Sequence, residues 1–242
     1  MNVLVTCAGR RNHLVRCFRS ALGTDGLVIA ADASSDAPAL READRAHVVP
    51  AVNAPTGVDA LLGICHDEDV RLLVSLNDFE LPFLADRRED FAAVGTTLAV
   101  SSREVVDICF DKWETVRFLQ SCGLSAPMTY LSLDEVATAT DRHDLAFPLV
   151  VKPRWGTASI AVEVADGIDE LRLLYDHVAK KVHRSALASP SSQDPGRCVI
   201  VQELLPGQEY GMDVVNDLEG RYVATLGRRK ISMRSGETDK AI

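Results

Sequence analysis

The first 110 residues alternate short apolar runs with amphipathic stretches, and no other feature of the sequence limits the fold as strongly. Runs with the length of a buried strand occur at 2–6, 27–31, 46–49, 72–75 and 97–100. Between them, the helical spacing of apolar residues predicts helices over 13–22, 58–67 and 81–91. Strands that alternate with such helices are typical of a parallel sheet covered by helices. The sequence therefore predicts an α/β fold that begins with a Rossmann-like unit.

The first predicted strand runs into the turn TCAGRRNHLV, which has the place of a dinucleotide-binding turn. Gly9 opens the following helix, and Asp32 ends the second strand where a ribose-binding acid would stand. Only one glycine of the GxGxxG pattern is present, which is weak support for a dinucleotide. We favour an anion or substrate site at this helix start over bound NAD.

A different composition begins after residue 106. Asp111 is a candidate N-cap for a short helix that Gly123 and Pro127 end. Further strands are predicted from 147, over 162–164 and from 199, with a helix over 169–182. The stretch 185–197 is rich in serine, proline and small residues, which predicts a mobile loop. We therefore divide the chain into domains 1–110 and 111–242.

The segment FPLVVKPRWGTAS carries one lysine, Lys152, out of an apolar run and into a turn of small residues. The apolar run predicts a strand buried on both faces. A cation at a strand end, beside backbone amides that can approach an anion closely, suits the phosphates of a nucleotide. A surface lysine entering an ordinary hairpin fits this segment equally well.

The segment VIVQELLPGQEYGMDVV has a buried strand, the polar residues Gln202 and Glu203, a Pro206-Gly207 turn, and Glu209 at the start of another strand. A strand that stops pairing leaves backbone groups free to bind a flat heterocycle, and a carboxylate can accept from ribose hydroxyls. A surface turn flanked by solvated acids is the alternative.

Charge and cysteine usage limit the class of protein. A net charge of −9 disfavours nucleic acid as a partner, because phosphate-backbone binding needs a basic surface. No apolar run has the length of a membrane span, and the N-terminus lacks a signal peptide, so we expect a cytoplasmic protein without a membrane partner. The six cysteines form no CxxC pair and are predicted to be free and mostly buried.

Four motifs in order resemble those of the ATP-grasp superfamily, in particular its carbamoyl-phosphate-synthase-like members. They are Asp111-Lys112 with a GLSAP tail, FPLVVKPRWGTAS, VQELLPGQEYGMDVV and RRKISMRSGETDKAI. The resemblance covers nearly the whole chain. It implies a Rossmann-like pre-ATP-grasp domain followed by an α+β ATP-grasp domain that lacks its C-terminal metal-binding part.

The resemblance also implies roles for individual residues. Lys112 and Lys152 would contact the phosphates of ATP and the purine edge from two sides. The implied loop over the phosphates comprises Gly156, Thr157, Ala158 and Ser159. The base and ribose contacts are Gln202 to the adenine amino group, the backbone of Glu203 and Leu205, and Glu209 to the ribose. Arg234, with Lys230 nearby, would face the γ-phosphate or the acyl substrate. Positive charges around a triphosphate also neutralise charge that builds up during phosphoryl transfer.

Two departures from the family pattern stand out. Ala158 and Ala161 replace glycines of the phosphate loop, which is expected to restrict positive φ. The family's magnesium-binding acids, a Glu and a later Glu-x-Asn motif, have no counterpart in the sequence, so Mg²⁺ is expected from the family but its ligands are unknown. Glu219, Glu237 and Asp239 lack such spacing, and Glu219 is interpreted as a hairpin turn residue.

The resemblance implies a ligase in which ATP phosphorylates a small carboxylate and an amine or similar acceptor displaces phosphate from the acyl phosphate. It also allows a homodimer, as relatives are often dimers. A nucleotide-binding module without catalysis, or an inactive fragment, is the alternative. An oxidoreductase using the first domain is disfavoured by the single Gly9.

Overall fold

The structure is a computed structural model that describes residues 1–234 and 237–242, with the backbone alone for 234 and 237. The chain forms two compact units, Met1–Asp107 and Ile108–Ile242. No helix in the described ranges combines the length and the apolar character needed to cross a bilayer.

The first unit contains a five-stranded sheet in the order β3-β2-β1-β4-β5. Its strands are β1 (Asn2–Thr6), β2 (Val28–Asp32), β3 (Arg45–Val48), β4 (Val70–Ser75) and β5 (Thr97–Leu98). All four neighbouring pairs are parallel. The predicted Rossmann-like unit is therefore confirmed, and β5 is shorter than its apolar run predicts.

Helices cover this sheet, namely α1 (Asn12–Leu22), α2 (Gly57–Asp67), α3 (Leu81–Asp86) and α4 (Arg88–Ala93), with α5 (Arg103–Phe110) following. Consecutive residues of β1 enter two different cores: Leu4 packs with Ile29 and Leu73, whereas Val3 and Val5 belong to the other cluster. The apolar residues 3–5 of this strand are thus buried on both faces of the sheet, as is typical of parallel sheets.

The prediction of a single helix over 81–91 is wrong, because the chain forms two short helices there with Arg87 between them. Arg87 leaves helical geometry at φ −108° and ψ 17°. Its guanidinium pairs with Asp59 at 3.0 Å and also with Asp90. Apolar spacing continues across the break, so periodicity alone could not show it.

The second unit contains a four-stranded sheet in the order β6-β9-β7-β8, with antiparallel neighbours. Its strands are β6 (Thr129–Tyr130), β7 (Leu149–Pro153), β8 (Glu163–Ala165) and β9 (Val199–Glu203). The accompanying helices are α6 (Lys112–Ser121), α7 (Leu133–Asp141), α8 (Ile168–His183) and the short α9 (Ala188–Ser191).

Two helix starts in this unit are fixed by side-chain caps. Asp111 caps α6 by accepting from the backbone of Trp113 and Glu114, which confirms the predicted N-cap. Helix α7 was not predicted, yet Ser132 and Glu135 form a capping box at its start. That motif, a serine followed three residues later by a glutamate, was the available sequence signal.

The stretch 185–197 was predicted to be a loop, but it contains α9 and a 3-10 turn at Pro195–Arg197. Leu187 is fully buried and Ser191 is almost so. The small and polar composition of this stretch predicted a loop, although one buried leucine, Leu187, packs the segment against the rest of the unit. We call residues 185–197 the connecting segment, since it joins α8 to β9.

A separate three-stranded antiparallel sheet comprises β10 (Tyr210–Asn216), β11 (Tyr222–Arg234) and β12 (Glu237–Ala241). The predicted turn role of Glu219 is confirmed, since it lies between β10 and β11 and donates its backbone N–H to Asp217. Apolar side chains on these strands are exposed, with Met212 at 65% and Val214 at 62%.

The cysteines correct one expectation. All six are free, as predicted, but they are not mostly buried. Cys65 and Cys198 are buried, Cys7 is intermediate, and Cys17, Cys109 and Cys122 are exposed. The exposed cysteines lie on or next to amphipathic helices, where one residue step moves a side chain from core to solvent.

Candidate functional site

Strand β7 presents Lys152 on one face of the four-stranded sheet. Burial alternates along the strand, with Leu149, Val151 and Pro153 buried and Val150 and Lys152 only partly so. The prediction of burial on both faces is therefore wrong for this strand. Since directly opposed residues of an antiparallel pair share a face, Lys152 lies on the same face as its partner Ile200.

Lys152 takes part in a polar chain across three neighbouring strands. Its Nζ donates to Oε1 of Gln202 over 2.6 Å, and Nε2 of Gln202 donates to Oγ1 of Thr129 over 2.7 Å. Burial lowers the pKa of Lys152 from its ordinary value. A partly desolvated ammonium with a neutral hydrogen-bond partner keeps its charge available for an anion.

Lys112 approaches the same strand from the start of α6. Its Nζ donates to the carbonyl of Gly156 over 2.7 Å, and its backbone N–H donates to the carbonyl of Arg154 over 3.1 Å. An isolated β-bridge between Asp111 and Trp155 adjoins these contacts. The structure thus brings Lys112 to the end of β7, where the loop after Lys152 begins.

The loop after β7 has an unusual backbone. Gly156 has a φ of +140°, and Ala158, Ser159 and Ala161 have φ values of 54°, 53° and 55°. The expectation that the alanines restrict positive φ is wrong, because both adopt it. A residue with a Cβ in the left-handed region is strained by about 1–2 kcal/mol, and such strain clusters at functional sites. We call residues 156–159 the phosphate loop, after the role that the sequence resemblance implies for them.

Arg154 is the site residue that the sequence analysis did not single out. Its guanidinium makes an ion pair with Asp111 at 2.7 Å and a second with Asp194 at 3.2 Å. Arg154 and Asp111 are only 9% and 6% exposed. The available signal was an arginine directly after a Lys-Pro strand end, but its partners lie 43 and 40 residues away.

The remaining predicted residues lie in or before the three-stranded sheet. Glu209 and Lys230 are brought together, since Nζ of Lys230 lies 2.5 Å from Oε1 of Glu209 and their backbones pair at 2.9 Å. Glu203 ends β9 and donates its backbone N–H to Met128, and Leu205 is 59% exposed. The side chain of Arg234 lies outside the described residues. The nucleotide and substrate roles of these residues stay predictions.

No set of Mg²⁺ ligands can be assigned among the residues that the structure describes. Mg²⁺ is held by carboxylate and other oxygen ligands in octahedral geometry. Within 1–234 and 237–242, no group of three or more His, Cys, Asp or Glu side chains could hold a metal ion. The metal ligands stay unknown.

In the first unit, the acid compared with a ribose ligand is bound by the chain itself. Oδ2 of Asp32 accepts from the backbone N–H of Gly9 at 2.8 Å, and Oδ1 accepts from that of Ser34 at 2.9 Å. A second carboxylate of this unit, that of Glu80, is buried five residues after the end of β4. It accepts a hydrogen bond from the hydroxyl of Ser75 at 2.7 Å. The anion or substrate site predicted at Gly9 stays a prediction.

The chain thus combines a Rossmann-like unit with a second unit in which Lys112 contacts the strained loop that follows Lys152. Residues 3–99 match the family model of the PylC-like N-terminal domain, and residues 145–240 match that of the ATP-grasp domain. The family models thus place a PylC-like N-terminal domain and an ATP-grasp domain in these two ranges of the chain. No sequence among the curated proteins matches it significantly.

Solved structures share this fold at low identity. The biotin carboxylase domain of 2-oxoglutarate carboxylase from Hydrogenobacter thermophilus, in complex with MgADP, ADP and bicarbonate, has a TM-score of 0.71 at 16% identity, covering 98% of this chain and 51% of that one. The L-amino acid ligase from Bacillus licheniformis has a TM-score of 0.66 at 21% identity, covering 95% and 50%.

A third structure, the N5-carboxyaminoimidazole synthetase from Staphylococcus aureus complexed with ADP, has a TM-score of 0.65 at 12% identity, covering 98% of this chain and 56% of that one. The chain thus spans about half the length of these three structures. At these sequence identities, the similarity shows a shared fold and nothing further about function.

Proposed function

We propose that the chain binds ATP and carries the nucleotide site of an ATP-dependent ligase that joins a small carboxylate to an amine or similar acceptor. The observation that carries the proposal is that Lys112 reaches the loop that begins directly after the strand of Lys152. Lys112 contacts the carbonyl of Gly156, four residues after Lys152, on a backbone that is strained at Ala158 and Ser159.

Each lysine suits a phosphate for a different reason. Lys152 is partly desolvated, and its lowered pKa means that an anion would gain an ammonium that water does not fully solvate. Lys112 is the first residue of α6, and its Nζ reaches the loop that follows Lys152. Two of its acceptors are the backbone carbonyls of Arg154 and Gly156, which a phosphate oxygen would replace as a stronger, charged acceptor.

The proposed reaction requires that the protein position the reactants and neutralise the negative charge of the phosphates. A carboxylate oxygen attacks the γ-phosphorus of ATP, the bond to the bridging oxygen breaks, and ADP and an acyl phosphate form. An amine then attacks the acyl carbon, phosphate leaves, and the amine releases one proton. Lys112 and Lys152 would neutralise phosphate charge during the first step, and no Ser-His or Cys-His pair is required.

The comparisons support this proposal without naming a substrate. Two neighbours are described as complexes with ADP, and a third is described as an amino acid ligase. Arg234 and Lys230 are the proposed contacts to the γ-phosphate or acyl substrate. A cytoplasmic location and a homodimer are also proposed; free cysteines support the first, and a neighbour described as a domain dimer supports the second.

Isothermal titration with ATP tests the nucleotide site. We expect binding by the native chain, loss of binding by Lys152→Met, and native affinity for Lys180→Met, a lysine exposed on α8. Release of ADP that requires a carboxylate and an amine then identifies a ligase. ATP binding without ADP release for any pair identifies a binding module instead, and a preference for NAD over ATP refutes both.

A further inference from the structure

We propose that Arg154 is a positioning residue of this site: held between Asp111 and Asp194, it fixes the start of the phosphate loop and thereby the place of Lys112. The proposal rests on the proposed ATP site, because Lys112 and the phosphate loop are its functional targets. It also assigns a role to the connecting segment, which supplies Asp194.

The contact between Arg154 and Asp111 is directional. Nε of Arg154 lies 2.9 Å from both carboxylate oxygens, and a terminal nitrogen lies 2.7 Å from Oδ2. The same carboxylate accepts from the backbone N–H of Trp113 at 2.9 Å. One carboxylate therefore fixes both the start of α6 and the guanidinium at the end of β7.

Lys112 closes this arrangement. It follows Asp111 directly, and both its backbone N–H and its Nζ point to the carbonyl of Arg154, at 3.1 Å and 3.4 Å. The side chain of Arg154 therefore holds the residue before Lys112, and its main chain holds Lys112 itself. A shift of Arg154 would move the lysine relative to the carbonyl of Gly156, to which its Nζ also donates.

The connecting segment contacts the same place twice. Oδ2 of Asp194 lies 3.2 Å from a terminal nitrogen of Arg154. A Cβ on Gly156 would lie 3.0 Å from Cδ2 of Leu187, so that leucine packs directly on the glycine. The segment thus touches the residue that positions Lys112 and the first residue of the phosphate loop.

Burial argues for a positioning role over a purely stabilising one. Removing two charges from water is unfavourable, and buried ion pairs replaced by packed apolar residues are often equally or more stable. What a bidentate pair supplies is direction, because the planar guanidinium accepts one orientation. Arg154 also stacks on Trp155, 4.4 Å from the ring centroid, which further restricts it.

The test compares Arg154→Lys, Asp194→Asn and, as a matched control, Arg172→Met, which removes an exposed ion pair with Asp169 on α8. ATP affinity is measured in the native and in the Lys112→Met background. We expect Arg154→Lys to weaken ATP binding about tenfold in the native background and about threefold or less in the second, because coupled residues are non-additive. Equal losses in both backgrounds, or unchanged affinity, overturn the proposal.

Hydrogen exchange of the nucleotide-free protein gives a readout that needs no ATP. Amides of residues 156–162 should exchange faster in Arg154→Lys and in Asp194→Asn than in the native chain and in Arg172→Met. Asp194 is partly exposed, so its variant folds even if the Arg154 variant does not. Unchanged exchange overturns the proposal; if the native chain fails to bind ATP while exchange rises, the proposed ATP site fails and the positioning of the loop stands.

Discussion

Nζ of Lys152 lies 2.6 Å from Oε1 of Gln202, so this partly buried cation is bound to a neutral amide. Burial disfavours the ammonium and the amide carries no charge to offset this, so the pKa of Lys152 is lowered. Its charge therefore depends on pH in a range where an exposed lysine stays protonated, and this leads to two predictions of opposite sign.

ATP affinity should fall as pH rises through the lowered pKa of Lys152, since the ammonium that binds phosphate loses its proton there. Arginine keeps its charge at all these pH values. Titrations between about pH 7 and pH 10, spanning the range below the ordinary lysine pKa, should show a steeper loss for the native chain than for Lys152→Arg. Parallel losses in the two proteins would assign the dependence to another group.

Stability should respond in the opposite direction. Between the lowered pKa of Lys152 and the ordinary value near 10.5, the unfolded chain holds a proton that the folded chain has released. The free energy of unfolding therefore rises with pH in this window. Urea midpoints of the native chain should rise relative to those of Lys152→Met over the same window, and a constant difference would contradict the lowered pKa.

Gly156→Ala should destabilise the fold by about 1–3 kcal/mol, because a Cβ at φ +140° is strained and would meet Leu187. Leu187→Ala, which removes a fully buried side chain, should lose about 2–5 kcal/mol. The double variant should lose less than the sum, since the second change removes the steric contact of the first. Urea denaturation of all four proteins measures this, and strict additivity would show that Leu187 does not restrict Gly156.

Ala158→Gly and Ala161→Gly should be neutral or stabilising, because glycine relieves about 1–2 kcal/mol of left-handed strain and loses about 0.5–1 kcal/mol in chain entropy. Ala179→Gly in the middle of α8 is the control, with an expected loss of about 1 kcal/mol. Thermal unfolding separates the two cases. A similar loss at all three positions would mean that the loop alanines are not strained.

Alkylation by iodoacetamide at about pH 8, close to the ordinary thiol pKa, should modify three cysteines quickly, those exposed at Cys17, Cys109 and Cys122. Burial raises the pKa of Cys65 to about 11 and raises those of Cys7 and Cys198, so these thiols should react slowly. Mass spectrometry should show three early adducts and six after denaturation. In Cys17→Ser the early number should fall to two.

Local patterns predicted the parts of this protein that local chemistry determines. Short apolar runs predicted the parallel sheet, and Asp111 was identified as an N-cap because a cap contacts residues only two and three positions away. Helix α7 could have been predicted in the same way from Ser132 and Glu135.

The remainder depends on contacts between distant residues. Arg154 gains its role from Asp111 and Asp194, about 40 residues before and after it, and no local pattern contains that pairing. The left-handed alanines contradict local preference, because the surrounding loop imposes a conformation that alanine alone would avoid. Single-sequence reasoning fails at such positions, and they coincide with the candidate site.

The hydrogen bond from the backbone N–H of Gly9 to Asp32 makes this amide a poor binding group for a free anion. A carboxylate already sits on that amide, delivered by the adjacent strand and held a second time by Ser34. A phosphate ion in solution would have to displace the Asp32 carboxylate from the Gly9 amide. The carboxylate has a high effective concentration there because it belongs to the same chain, and its negative charge repels the phosphate. The Gly9 amide is therefore already occupied by a carboxylate of the same chain, and a ligand at this turn would have to be bound by groups other than that amide.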